Sequence, residues 1–235
     1  MIVEYTKQIG ETMTDLLNRF KIEYNINNMT KVAFAGRLDP LAFGIVIILT
    51  DDDIYKKDTF CNYKKTYQCN MIEGITTDTF DIMGLINSSD LQFNNIYNEI
   101  KDMEICMEYP LYSSCNVVDI NGVKRQSWYC AKNNISIKSV PTKDIILYSG
   151  IKLDSYNISS IMLYNIIEER INMVQKKTFR QDEILNKWKE LLMKENKDYT
   201  ISKWEFKISS GGYIRFLGNS MNGCCFDINR IEYLL

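Results

Sequence analysis

Histidine is absent from all 235 residues. That removes the Ser/His/Asp triad, the Cys/His dyad, the His-Glu-x-x-His zinc site and any imidazole acid–base step, so catalysis would have to use other side chains. An excess of charge of either sign is also missing. The 28 Lys and Arg face 30 Asp and Glu, a net charge of −2, which offers no global attraction for polyanions and leaves a nucleic-acid role to local basic patches. Proline occurs three times, and no Gly-, Ser- or Pro-rich run marks a linker. The longest apolar run, Leu41–Leu49, falls short of the about 20 residues of a membrane span, and the first residues lack the layout of a signal peptide. A soluble, cytoplasmic protein is the expectation. The seven cysteines are odd in number and show no Cys-x-x-Cys spacing, so they read as reduced packing residues rather than a disulfide framework or a zinc site.

What is present is a 46% hydrophobic chain able to bury a sizeable core. Apolar residues at helical spacing after Thr12 or Thr14 predict an amphipathic helix over Glu11–Tyr24, behind an extended start. Tyr67, Cys69 and Met71 alternate with polar neighbours and predict a strand over residues 64–73. Ser89 and Gln92 form a capping-box pattern, and Leu91, Ile96, Ile100 and Met103 then predict a second helix running toward Pro110. Asn121-Gly122 signals a hairpin, followed by helical character over Lys124–Lys132. Ile145–Met162 reads as two strands, and Tyr164–Asn196 as a helix pair. Trp204, Phe206 and Ile208 share one side of a further strand that ends in the Ser209-Ser210-Gly211-Gly212 turn. Interspersed strands and helices fit a single α+β domain over residues 1–235, with a mixed, mainly antiparallel sheet flanked by helices.

The stretch Gly36-Arg37-Leu38-Asp39-Pro40-Leu41-Ala42-x-Gly44 resembles the Gly-x-Leu-Asp-Pro-x-Ala-x-Gly loop of the TruB family of tRNA pseudouridine synthases. Three more motifs follow in that family's order: Lys65-Thr66-Tyr67, Thr77-Asp78-Thr79-x-Asp81-x-x-Gly84, and Ser210-Gly211-Gly212-Tyr213-Ile214-Arg215. Lys7-Gln8-Ile9-Gly10 and Pro110-Leu111-Tyr112-Ser113-Ser114 are similar to its opening and to one of its turns. A helical insert at about 165–200 has no counterpart, and the family's small C-terminal RNA-binding domain is expected to be absent.

The resemblance implies a pseudouridine-synthase-like fold and isomerisation of uridine in RNA, foremost in the tRNA T-arm at position 55, by a monomer with no metal or organic cofactor. It implies Asp39 as nucleophile, Arg215 as its ion-pair partner, and Tyr67 and Tyr213 packed on a flipped base, with Tyr67 also moving the C5 proton. The chemistry agrees, because a carboxylate can open a glycosidic bond without histidine, and a desolvated carboxylate needs a cation beside it. Phe34 stands where the family carries a histidine that enters the RNA. Arg37, Lys64 and Lys65 are expected to bind the substrate, and the basic clusters Lys64-Lys65, Lys56-Lys57, Lys124-Arg125 and Lys176-Lys177 with Arg180 are candidates to track phosphates. Thr79, Asp81 and Gly84 are read as turn-shaping. A non-catalytic RNA-binding or RNA-remodelling protein that retains the fold is the alternative.

Overall fold

Side-chain alternation sets the centre of the molecule. In a computed structural model that describes residues 1–174, 179–195 and 197–234, the chain runs β1 (Ile2–Lys7), α1 (Met13–Glu23), β2 (Val32–Ala35), β3 (Ala42–Thr50), a 3₁₀ turn (Asp51–Lys56), α2 (Lys57–Asn62) and β4 (Lys64–Glu73). The short β5 (Thr76–Thr77) and β6 (Ile86–Ser88) pair with each other, and β7 (Ile100–Glu108) follows. Next come the hairpin β8 (Asn116–Val118) and β9 (Lys124–Gln126), then α3 (Ser127–Lys132) and β10 (Thr142–Ser159). The remainder is α4 (Ser160–Met173), α5 (Gln181–Glu195), β11 (Asp198–Ile208), α6 (Ile214–Ser220) and β12 (Gly223–Leu234).

The main sheet has the order β1-β3-β12-β4-β11-β10-β7, with β2 pairing on β3. Every neighbouring pair is antiparallel except β12 with β3. On one face Tyr67, Cys69, Met71, Trp204, Phe206 and Ile208 pack against α1 and α6. On the other, Ile72, Ile201, Cys224 and Phe226 meet the buried faces of α4 and α5. The fold is therefore mixed α+β, with helices on both faces of a mainly antiparallel sheet. The capping box of α1 is complete, Thr12 accepting from the Asp15 N–H and Asp15 from the Thr12 N–H, an arrangement worth about 1 kcal/mol.

The helix expected between Ser89 and Pro110 does not form. Asp90 and Glu99 adopt left-handed backbone, the Leu91 and Asn94 N–H groups donate to Gly74 and Met221, and the residues from Ile100 onward pair with β10. Tyr97 is buried there, whereas Ile96, a member of the supposed apolar stripe, is 50% exposed. A sheet edge offering a full ladder outweighs weak helical spacing in an Asn-rich segment. The two strands expected over Ile145–Met162 are one strand, β10, with register shifts between Leu147 and Ser149 and between Lys152 and Asp154, and it stops at Ser159, whose hydroxyl caps α4, so Ser160–Met162 are helical. Gly150 is no turn. It admits the Tyr97 carbonyl, which would lie 2.4 Å from a Cβ at this position. The helix expected from Lys124 begins at Ser127, because Lys124–Gln126 pairs with β8.

Candidate active site

Asp39 lies in the loop between β2 and β3, and two buried cations hold that loop at either end. Arg230 of β12 donates through Nε to the Ile45 carbonyl at 2.7 Å and through Nη2 to that of Gly36 at 2.9 Å. Lys7 of β1 places its Nζ under the exit, donating to the carbonyls of Ala42 (2.7 Å), Pro40 (3.0 Å) and Gln8 (3.1 Å). Three carbonyls match the three ammonium protons, which makes full burial tolerable. Burial nevertheless pulls the Lys7 pKa down to about 8.

Arg215, in the first turn of α6, brings its Nε to 2.9 Å from Asp39 Oδ2 and 3.7 Å from Asp81 Oδ2. The Nε–H points along neither contact, so the pairing is one of proximity between charges rather than a directed hydrogen bond. The other nitrogens are anchored: Nη1 donates to the Thr79 carbonyl at 2.6 Å and Nη2 to that of Tyr112 at 3.4 Å. The arginine is 2% exposed. Burial alone would lower its pKa, but Asp39 and Asp81 reverse the effect and leave the guanidinium above its ordinary value.

Asp81 is the least hydrated carboxylate of the group. Burial raises its pKa from 3.8 to about 6, against the opposing pull of Arg215 and of the hydrogen bond from Thr79, with Asp39 adding to the rise. Its Oδ1 accepts from Thr79 Oγ1 at 2.6 Å and from the Met83 N–H at 3.0 Å. Because the folded protein holds this proton more tightly than the unfolded chain, the Asp81 contribution to stability is complete below about pH 4 and is lost as pH rises through 6. The loss is expected to be about 3 kcal/mol. Denaturant titrations at pH 4 and 7 should show it as a difference in slope between wild type and Asp81→Asn, and parallel profiles would show that Asp81 does not titrate in this range.

These groups stand in a cavity of about 690 Å³, a size suited to a small ligand or a single nucleotide. Tyr67 on β4 and Tyr213, just before α6, are among its lining residues. Tyr109 meets Tyr213 edge-on at 5.7 Å, and the Arg215 guanidinium lies 5.6 Å from the Tyr213 ring. Burial, reinforced by Asp39, pushes the Tyr213 phenol up to about 12. Phe34 also lines the cavity, with Arg37 at 5.9 Å and Lys57 at 5.8 Å from its ring centre.

Residues 24–163 match the TruB family pseudouridylate synthase (N terminal domain). The chain belongs to the TruB family. A tRNA pseudouridine synthase B from Caldicellulosiruptor saccharolyticus is 31% identical over 148 residues, 61% of this chain and 48% of that protein. One from Clostridium acetobutylicum is 33% identical over 162 residues, 67% and 53% of the two chains. This TruB-family chain thus spans about half the length of the curated relatives it matches. A crystal structure of a Cbf5-Nop10-Gar1 complex aligns with 99% of this chain and 48% of that one, at 14% identity and a TM-score of 0.48.

The structure gathers Asp39, Arg215, Tyr67, Tyr213, Phe34, Arg37 and Lys65 of the sequence-derived TruB set around one cavity. Lys65 is buried there and already engaged, donating to the Cys61 and Tyr63 carbonyls at 2.6 and 2.7 Å, with its pKa drawn down to about 8 by burial. Lys64 does not join them. Its ammonium lies 4.1 Å from the Tyr148 ring centre, and it is not among the lining residues. Lys176 and Lys177 lie outside the described residues.

Thr79 and Asp81 shape their turn, as expected, through the Thr79 hydroxyl and the Met83 N–H on Asp81, and they also contact Arg215; Lys7 and Arg230, to which no role was given, hold the Asp39 loop. The second aspartate of the Thr77–Gly84 motif was the available signal for Asp81. Among the described residues no group of three or more Cys, Asp or Glu could hold a metal ion, and no helix is long and apolar enough to cross a membrane.

Proposed function

We propose that this chain converts uridine to pseudouridine in structured RNA, with the uridine at position 55 of the tRNA T-arm as its first substrate to test. The observation that carries this reading is the Asp39 carboxylate, 32% exposed, set 2.9 Å from a buried guanidinium in a cavity that Tyr67 and Tyr213 line. The relatives that the chain resembles are tRNA pseudouridine synthases, which supplies the substrate class.

In this reading the target nucleotide leaves its stack and its base enters the cavity, where aromatic contact offsets the few kcal/mol of unstacking. Asp39 acts as the nucleophile: a carboxylate oxygen bonds to C1′ as the N1–C1′ bond breaks and the uracil leaves with the electron pair. The uracil turns within the site, and C5 bonds to C1′ as the Asp39–C1′ bond breaks and returns the carboxylate. The C5 proton then departs, by way of the Tyr67 hydroxyl, and N1 takes up a proton. The balance is an isomerisation, so the atoms and electrons close without oxidant or reductant. Arg215 holds the carboxylate in place and balances its charge. Phe34 and Arg37 form the mouth, where an aromatic wedge and an exposed cation suit a displaced nucleotide and its phosphate, while Lys65 is buried behind them on the Cys61 and Tyr63 carbonyls.

Tritium release from an unmodified tRNA labelled at uridine C5 tests the proposal. Release by wild type and none by Asp39→Asn is expected. No release from any RNA tested, with the two proteins indistinguishable, would reject it; a gel shift retained in that case would favour the RNA-binding alternative.

A further inference from the structure

The helical pair α4–α5 lies almost wholly beyond the matched residues 24–163, and the family resemblance assigns it nothing. Its position is not peripheral. At the end of α4, Met173 packs on Gly10, where a Cβ would lie 2.6 Å from the Met173 carbonyl oxygen, and the Gly10 N–H in turn donates to the Pro40 carbonyl, next to Asp39. Within α5, the fully buried Trp188 donates through Nε1 to the Ile82 carbonyl at 3.1 Å, next to Asp81. Phe179 and Arg180, entering α5, line the cavity itself.

Arg180 is the residue through which this pair reaches the reacting groups. Its Nη2 donates to Asp78 Oδ2 at 2.7 Å, while Asp78 Oδ1 accepts from the Leu85 N–H at 2.8 Å and so closes the loop that carries Thr79 and Asp81. The same guanidinium lies 4.5 Å from the Tyr112 ring centre. The carbonyls of Thr79 and Tyr112 are the two that anchor Arg215. Arg180 therefore contacts both segments that hold the Arg215 guanidinium, and its own charge is spent on Asp78 rather than left free for a phosphate.

We infer that Phe179 and Arg180, at the entry to α5, form part of the wall of the catalytic cavity, and that Arg180 is a positioning residue that fixes Arg215 against Asp39 by tying the Asp78–Leu85 loop to Tyr112. This rests on the catalytic reading above. Mobility in either segment would displace the guanidinium, and a displacement near 1 Å at a reacting group is enough to slow chemistry markedly while leaving substrate binding intact.

The test compares wild type, Arg180→Met, Arg180→Lys and, as a control on the outer face of α5, Lys187→Met. In single-turnover tritium release at saturating tRNA, Arg180→Met is expected to be slower by on the order of tenfold, with its RNA dissociation constant unchanged. Arg180→Lys, which keeps the Asp78 pair, should recover part of the rate, and Lys187→Met should match wild type. Adding Asp78→Asn to Arg180→Met should slow release no further. Solvent exchange of the Arg215 Nε–H, followed by NMR, supplies a readout independent of turnover and should quicken in Arg180→Met. Unchanged exchange overturns the inference, and so does weakened RNA affinity with a wild-type saturated rate, which would make Arg180 an RNA contact. If wild type itself turns over no RNA, the catalytic reading falls, and the exchange measurement still decides whether Arg180 holds Arg215.

Discussion

Asp39→Asn is expected to lower pseudouridine formation by on the order of 10⁶-fold, the scale seen when a nucleophile is removed and the rest of a site stays intact. The substitution is isosteric, so the cavity and the tyrosines keep their places. It removes the nucleophilic charge and the attraction to the guanidinium 2.9 Å away. Stability should fall, but by less than the about 3–5 kcal/mol of a fully buried pair, because the carboxylate is 32% exposed and the buried Arg215 keeps Asp81. RNA affinity should be retained, since phosphate contacts and stacking supply most of it. Tritium release and a gel shift on the same protein separate these effects. A rate within about tenfold of wild type would remove Asp39 from the chemistry.

Arg215→Met combines the largest loss of stability with a large loss of rate. The side chain is 2% exposed and neutralises two carboxylates, one of them buried. Removing one partner from a buried charge cluster costs about 3–5 kcal/mol, because the other charge remains in a medium that solvates it poorly. Two anchoring carbonyls, of Thr79 and Tyr112, lose their donor as well. Without the guanidinium the Asp81 pKa, already raised to about 6, should rise further, so the variant should recover part of its stability as pH falls toward 5. Turnover should drop by about 10³-fold where the variant remains folded. Denaturant midpoints at pH 5 and 7 check the first expectation and tritium release the second. Wild-type stability at both pH values would mean that the three groups do not interact as their separations indicate.

Much of this arrangement was legible in the chain. The period-two runs at Tyr67–Met71 and Trp204–Ile208 marked β4 and β11, and the apolar spacing after Thr12 marked α1 with its cap. Asp39, Tyr67 and Arg215 stood out because four motifs occur in one order. The segment over residues 89–110 was misread because its apolar spacing suited a helix while its backbone had a strand partner in β10, distant in sequence. Lys64 and Lys65 were read as one basic patch, yet neighbours on a strand point to opposite faces, and only Lys65 reaches the cavity.

The sequence by itself determined the chemical repertoire: no imidazole, a carboxylate between a turn and a buried strand, and a late arginine behind a glycine turn. It also determined most helices and strands, because their periods are local. Tertiary structure alone decided which charges share one low-dielectric space. It set Asp81 beside Arg215, buried Lys7 beneath the Asp39 loop, and placed Arg180, just before α5, on Asp78 at the cavity wall. Desolvation and ion pairing depend on which distant segments are superposed, and that information is in no single stretch of the chain.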